Sequence, residues 1–353
     1  MEKTNLCGMF VEEIIAAVAP LGLEKYRGRQ LAEWIYQRYA TDFAGMTNLP
    51  MDKRILLEEH FSVESVTLAA QEEAADGTTK YLLALEDGLA VETVLMPHKY
   101  GNSVCVSTQV GCGMGCVFCA STLHGVVRNL TVGEILAQVL YVNQMLSIKN
   151  EKVDSVVIMG SGEPLANYEQ VLNFIRLCHE PYSMNMSYRS FTLSTAGLVP
   201  GIDRLAGEGI PVTLAISLHA PSNDVRSRLM PINQTYPIET VFAAADRYAS
   251  ASGRRVTYEY TLIAGINDSE EQAKELARLL KYRLANVNLI PVNPVPERGL
   301  FRPEKEKIQR FLQILQAAKI TATVRREMGT EIRAACGQLR HKVLNGKSSQ
   351  RSA

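Results

Sequence analysis

Val153-Asp154-Ser155-Val156-Val157-Ile158-Met159-Gly160-Ser161-Gly162-Glu163-Pro164 decides the fold. An apolar, β-branched run ends in a glycine-rich turn, and a helical pattern follows over 168–178. A strand followed by a helix in this way is the unit of a parallel sheet when it repeats. The alternation recurs along the chain. Strand-like runs lie at 104–108, 153–159, 191–194, 212–218, 256–263 and 287–292, with helical stretches at 132–145, 168–178, 239–249, 269–280 and 304–317. Thr131 and Glu134 are spaced as a capping box ahead of the first of these helices. Six repeated units predict a parallel sheet, flat or rolled towards a barrel, with its chemistry at the carboxyl ends of the strands.

Outside this region the patterns differ. Residues 10–62 read as helical, with Leu31, Trp34, Ile35 and Tyr39 at core spacing. Residues 63–94 read as β-rich, with hairpin signals at 75–78 and 86–88. The expected organisation is an N-terminal accessory domain over 1–90, a catalytic domain over 91–344 and a disordered tail over 345–353. Apolar content of 46% with 21% charged residues across 353 residues fits a globular protein with a sizeable core. Formal net charge is zero, so global charge gives no support for a nucleic-acid partner. Local runs are basic, at Lys25-Tyr26-Arg27-Gly28-Arg29-Gln30 and over 325–351. Each fits either phosphate contact or a solvated face. No signal peptide or membrane-length apolar run is recognisable, so a cytoplasmic, reducing setting without membrane association is expected.

Gly111-Cys112-Gly113-Met114-Gly115-Cys116-Val117-Phe118-Cys119 carries a CxxxCxxC triplet. Three thiolates on one tight loop suit three irons of a four-iron cluster, leaving the fourth iron open to a substrate or cofactor. A zinc site recruiting His124 is the weaker alternative. An electron carrier would want a fourth nearby cysteine.

Polar residues stand at the other strand ends: Gly162 and Glu163, then Ser194, then Ser217-Leu218-His219, then Asn293. Each alone is an ordinary strand-end cap. Together they supply carboxylate, hydroxyl, imidazole and amide groups around one mouth. Near the carboxyl terminus comes Ala334-Ala335-Cys336-Gly337-Gln338-Leu339.

With that last motif the chain resembles, from Tyr26 to Leu339, the radical S-adenosylmethionine RNA methyltransferases that modify C2 of adenine in 23S rRNA and tRNA. The resemblance implies an incomplete (β/α)6 radical SAM barrel with a small N-terminal helical and β accessory domain. It further implies a [4Fe-4S] cluster on Cys112, Cys116 and Cys119, and two S-adenosylmethionine molecules per turnover. Cofactor binding falls to Gly162, Glu163, Ser194, Ser217, Leu218, His219 and Asn293. Cys336 takes a methyl group from the first S-adenosylmethionine. A 5′-deoxyadenosyl radical from the second removes hydrogen from that methyl, and the carbon radical adds to the adenine. Glu92 accepts the proton lost, and Cys105 then attacks Cys336 to form a transient disulfide and release the base. C2 lies between two ring nitrogens and is not nucleophilic, which is why a radical route makes chemical sense.

Implied partners are 23S rRNA in its peptidyl-transferase region, tRNA next to the anticodon, and an electron donor such as flavodoxin or ferredoxin, acting on a monomer. Two departures from the family's common pattern are visible: Ser161 where many relatives carry Met, and Ser121-Thr122-Leu123-His124-Gly125 after the cluster cysteines. The rival functions are a C8 adenine methylase, which uses the same two cysteines, and a non-methylating iron–sulfur protein. Cys7 and Cys178 match no functional position, and Cys178 reads as a small buried hydrophobe.

Overall fold

The structure is a computed structural model and describes residues 3–63, 66–293 and 298–325. The N-terminal part pairs the short strands β1 (Thr4–Asn5) and β2 (Phe61–Ser62) in parallel around helices α1 (Val11–Val18), α2 (Lys25–Tyr36) and α3 (Met51–His60). Leu31 and Ile35 are fully buried, as their spacing predicts, but Trp34 and Tyr39 are only half-buried. The aromatic that enters the core is Tyr36, whose hydroxyl donates to the carbonyls of Leu6 and Met9. Trp34 instead keeps its indole N–H on Asn48. An amphipathic ring settles where its polar atom finds a partner.

Next come β3 (Thr67–Glu73), β4 (Thr79–Ala84), β5 (Ala90–His98) and β6 (Gly101–Cys105), joined antiparallel by the two expected hairpins and by a third, between β5 and β6, that the sequence did not signal. Strand β6 then pairs in parallel with β9, so these strands continue into the sheet of the β/α units. The hairpin of β7 (Gln109–Gly111) and β8 (Val126–Asn129) stands apart as its own two-stranded sheet. Helix α4 (Val132–Ser147) follows, opened by the expected capping box. The Glu134 amide donates to Thr131 Oγ1 at 3.2 Å, and the Thr131 amide to the Glu134 carboxylate at 2.9 Å.

The remaining units are β9 (Val153–Ile158), α5 (Tyr168–His179), β10 (Phe191–Thr195), α6 (Val199–Gly207), β11 (Thr213–Ser217), α7 (Asn223–Leu229), α8 (Ile238–Ser252), β12 (Val256–Leu262), α9 (Glu270–Leu280), β13 (Ala285–Pro291), α10 (Lys305–Ala317) and β14 (Thr321–Val324). The ten-stranded sheet has the order β14-β13-β12-β11-β10-β9-β6-β5-β4-β3. From β6 to β14 every pairing is parallel. Among the described residues the parallel part is open, with β14 at its edge, as an incomplete barrel requires. One apolar core runs from Leu6 and Ile14 in the N-terminal part through Val139, Val156, Leu214 and Leu289. The two parts therefore share packing.

Candidate active site

The cysteine loop spans the turn between β7 and β8, and glycine is what lets it close. At Gly111 φ is +83°, and a Cβ there would lie 2.0 Å from the Gly125 carbonyl oxygen. Instead, the next amide, that of Cys112, donates to the same oxygen at 3.0 Å. Thr122 Oγ1 donates to the carbonyls of Cys116 and Cys119, which braces the second half of the loop. Val117 N–H donates to Leu229 O at 3.0 Å and so docks the loop on α7. Cys112 and Cys116 are buried and Cys119 is half-buried.

The loop meets the strand ends at two places. Phe118 packs edge-on against His219, with ring centroids 4.6 Å apart. The amides of Gly162 and Met114 donate to the Cys112 sulfur. At Gly162 φ is +112°, and a Cβ would fall 2.7 Å from Thr108 Oγ1, so only glycine brings its backbone this close. Burial pushes both Cys112 and Cys116 up; at Cys116 the neighbouring Cys119, Cys112 and Glu163 add to the effect. Thiols in such surroundings stay protonated until a metal displaces the proton.

Glu163 is 2% exposed. Its Oε2 accepts from Ala196 N–H at 2.7 Å and its Oε1 from Leu165 N–H at 3.1 Å, and the carboxylate also accepts from the Thr195 hydroxyl. Burial raises it to about 6 against these three bonds, which favour the ionised form. A carboxylate has about four acceptor positions. Three are occupied here, leaving room for an ammonium group.

His219 occupies left-handed backbone, at φ +59°, a conformation that persists where the surroundings fix it. Those surroundings are visible. Its amide donates to Glu259 O, its carbonyl accepts from Asn267, and its Nδ1 accepts from Thr261 N–H at 2.9 Å. That last bond places the ring proton on Nε2. Burial, then the charge of Arg226, draws His219 down to about 3, so the ring is neutral near pH 7. Ser194 and Ser217 are half-buried at the ends of β10 and β11, Leu218 is buried, and Asn293 is exposed just past β13.

A second group lies on the antiparallel side of the mouth. Val94 faces Cys105 across β5 and β6, and Lys80 faces Val94 across β4 and β5. Glu92 is two residues from Val94, so Lys80, Glu92 and Cys105 share one face of the sheet. Lys80 is fully buried, and its Nζ lies 3.5 Å from Glu92 Oε2. Cys105 packs with Val94 and Met96, against Met159 at the start of the glycine turn.

Residues 106–277 match the radical SAM superfamily, and residues 4–63 match the ribosomal RNA large subunit methyltransferase N-terminal domain. A Symbiobacterium thermophilum protein named probable dual-specificity RNA methyltransferase RlmN is 52% identical, over 97% of this chain and 92% of its own length. One of the same name from Bacillus licheniformis is 47% identical, over 97% of this chain and 94% of its own. The chain belongs to the RlmN family of radical SAM methyltransferases. The fold agrees. A crystal structure of a radical SAM methyltransferase from Sphaerobacter thermophilus matches with a TM-score of 0.92 at 46% identity, covering 95% of this chain and 98% of that one.

The superfamily's cofactors are a [4Fe-4S] cluster and S-adenosylmethionine. The donor set fits them: three thiols on one loop, with amides aimed at one sulfur and a buried carboxylate beside them. Among the described residues no three His, Cys, Asp or Glu side chains converge as a cage for a single ion. A cluster does not need that convergence, because each sulfur goes to a different iron.

Cys336 lies outside the described residues, as do the basic positions after Arg325 and the 345–353 tail. Several polar residues at the site escaped sequence reasoning. Gln109 accepts from the Glu163 amide, Gln138 bridges Thr93 and both backbone groups of Ser107, and Arg226 reaches three strand-end carbonyls. Their sequence neighbourhoods look like ordinary helix and strand surface, and only the tertiary fold buries them.

Proposed function

We propose that the chain methylates C2 of an adenosine in 23S rRNA and in tRNA, using a methyl group carried on Cys336. Full-length similarity to relatives named dual-specificity RNA methyltransferases supports the activity and the two RNA classes. The observation that carries the cysteine route is one continuous arrangement. Lys80, Glu92 and Cys105 share a face, Cys105 packs on Met159, and three residues later the Gly162 amide meets Cys112. This arrangement supports the reading of Glu92 as proton acceptor and Cys105 as resolving thiol.

When bound, the cluster and S-adenosylmethionine supply a carbon-centred radical. Gly162 and Glu163 would hold the amino acid end of the cofactor, and Ser194, Ser217, Leu218, His219 and Asn293 would serve its ribose and adenine. Neutral His219 offers Nε2–H as a donor. Glu92, its charge balanced by Lys80, collects the proton. The Cys105 thiolate attacks the sulfur of Cys336; as the sulfur–sulfur bond forms, the carbon–sulfur bond breaks and its electron pair leaves with the carbon attached to the base. That carbon takes up a proton to become the methyl group, and a dithiol reductant later reduces the disulfide. The adenine must leave its stack to reach this mouth.

Residues 1–90 act as the RNA-binding accessory domain and 91–344 as the catalytic domain. On α2, the Arg27 guanidinium lies over the exposed Tyr26 ring, a pairing suited to phosphate and base contact. A flavodoxin- or ferredoxin-type donor supplies electrons to a cytoplasmic monomer. Among the described residues no helix is long and apolar enough to cross a membrane.

The cysteine roles are tested by mass spectrometry of the protein. Cys336→Ala abolishes methyl transfer while retaining the cluster, and Cys105→Ala accumulates a covalent adduct of RNA with Cys336. An active Cys336→Ala protein refutes the route.

A further inference from the structure

Arg226, on α7, is fully buried. Its Nε donates to Leu218 O, Nη1 to Asn233 Oδ1 and Tyr236 O, and Nη2 to Ala196 O and Ser217 O, at 2.7–3.3 Å. A guanidinium has five N–H donors, so every one is committed. All five acceptors are neutral. Burial draws the group down only to about 10, which leaves it charged near pH 7. Such a charge, out of water and without an ionic partner, costs several kcal/mol unless something nearby carries the opposite sign.

That opposite sign is available on one side. Cys116 packs with Ala196, Val225 and Leu229 in a small apolar cluster, and α7 receives the Val117 amide. Ala196, whose carbonyl accepts from Arg226 Nη2, and Val225, the residue before Arg226 on α7, both belong to that cluster, so apolar side chains lie between the guanidinium and the cysteine loop. We infer that Arg226 is the fixed counter-charge of the iron–sulfur cluster: it tunes the cluster's reduction potential through space and makes no hydrogen bond to cluster or cofactor. The committed donors exclude direct ligand recognition, while the low-dielectric surroundings let the charge be felt at a distance. Reduction adds negative charge to the cluster, so a nearby cation favours the reduced form. This inference rests on Cys112, Cys116 and Cys119 holding the cluster.

The test is an anaerobic redox titration of the reconstituted full-length protein, followed by electron paramagnetic resonance, with iron and sulfide counted in parallel. Arg226→Gln removes the charge. Asn233→Asp keeps the guanidinium but sets a carboxylate against Nη1, and it carries the test alone if Arg226→Gln does not fold. Each is expected to lower the reduced-to-oxidised ratio at fixed potential about tenfold, a midpoint about 59 mV more negative. Arg226→Lys, which keeps the charge and loses the fork, stays near the wild-type midpoint. Unchanged midpoints in the Gln and Asp variants overturn the inference, and so does a Lys variant shifted as far as the Gln variant, since geometry alone would then explain both. A wild-type protein that assembles no cluster would instead refute the cluster assignment itself.

Discussion

The Ser161 hydroxyl donates to Ser121 Oγ at 2.9 Å, with both side chains buried. These serines lie in two stretches that the sequence reading sets apart, 161 in the glycine turn and 121–125 after the cluster cysteines, and the fold brings them into contact. Ser161 also receives the amides of Thr108 and Gln109 on its carbonyl and gives its own amide to Ser107 Oγ. The residue therefore ties the β9 turn to both the β6 end and the cluster loop. Ser161→Ala leaves Ser121 without this donor and is expected to lower stability by about 1 kcal/mol. A double-mutant cycle with Ser121→Ala, read by denaturant unfolding, should give a nonzero coupling. Strict additivity would contradict a direct bond.

The Lys80–Glu92 pair is buried on both sides. Removing one partner strands the other charge, so Lys80→Met is expected to lose about 3–5 kcal/mol. Adding Glu92→Gln should recover much of that loss without restoring turnover, because the proton acceptor is then absent. Recovery of both stability and methylation would show that Glu92 is structural only.

In the proposed site, Glu163 is expected to set a pH limit on cofactor binding. Its folded value of about 6 lies above the ordinary carboxylate range, so the folded state holds this proton more tightly than the unfolded chain. Burial of the charged form opposes folding above about pH 6, and that opposition fades as pH falls through the window towards the unfolded value. The charge needed for an ammonium disappears over the same window. Calorimetric affinity of the cluster-loaded protein for S-adenosylmethionine should therefore fall below about pH 6. Glu163→Gln should bind weakly and without that dependence. An unchanged pH profile in Glu163→Gln would remove Glu163 from the site.

Six strands of the parallel sheet and five of its helices were legible because the strands are apolar runs and those helices carry clear periodicity or caps. Helix α6 was not, since Pro200, Gly201 and Gly207 disguise nine residues of helix. Helix α7 has only seven, mostly polar, and β14 only four with two of them exposed. The hairpins at 75–78 and 86–88 read correctly, yet nothing local says that β5 and β6 carry them onto the edge of the parallel sheet. Arg226 and Lys80 look like surface charges in sequence. Their burial depends on partners 7–30 and 12 residues away respectively, which periodicity does not register.

The proposed reaction is methyl transfer to adenine C2. It is tested most directly by nucleoside mass spectrometry on rRNA and tRNA from cells lacking the modification, after anaerobic incubation with the cluster-loaded protein, S-adenosylmethionine and a reductant. 2-Methyladenosine is the expected product in both RNAs. 8-Methyladenosine, or no methylation by a protein with an intact and reducible cluster, would contradict it.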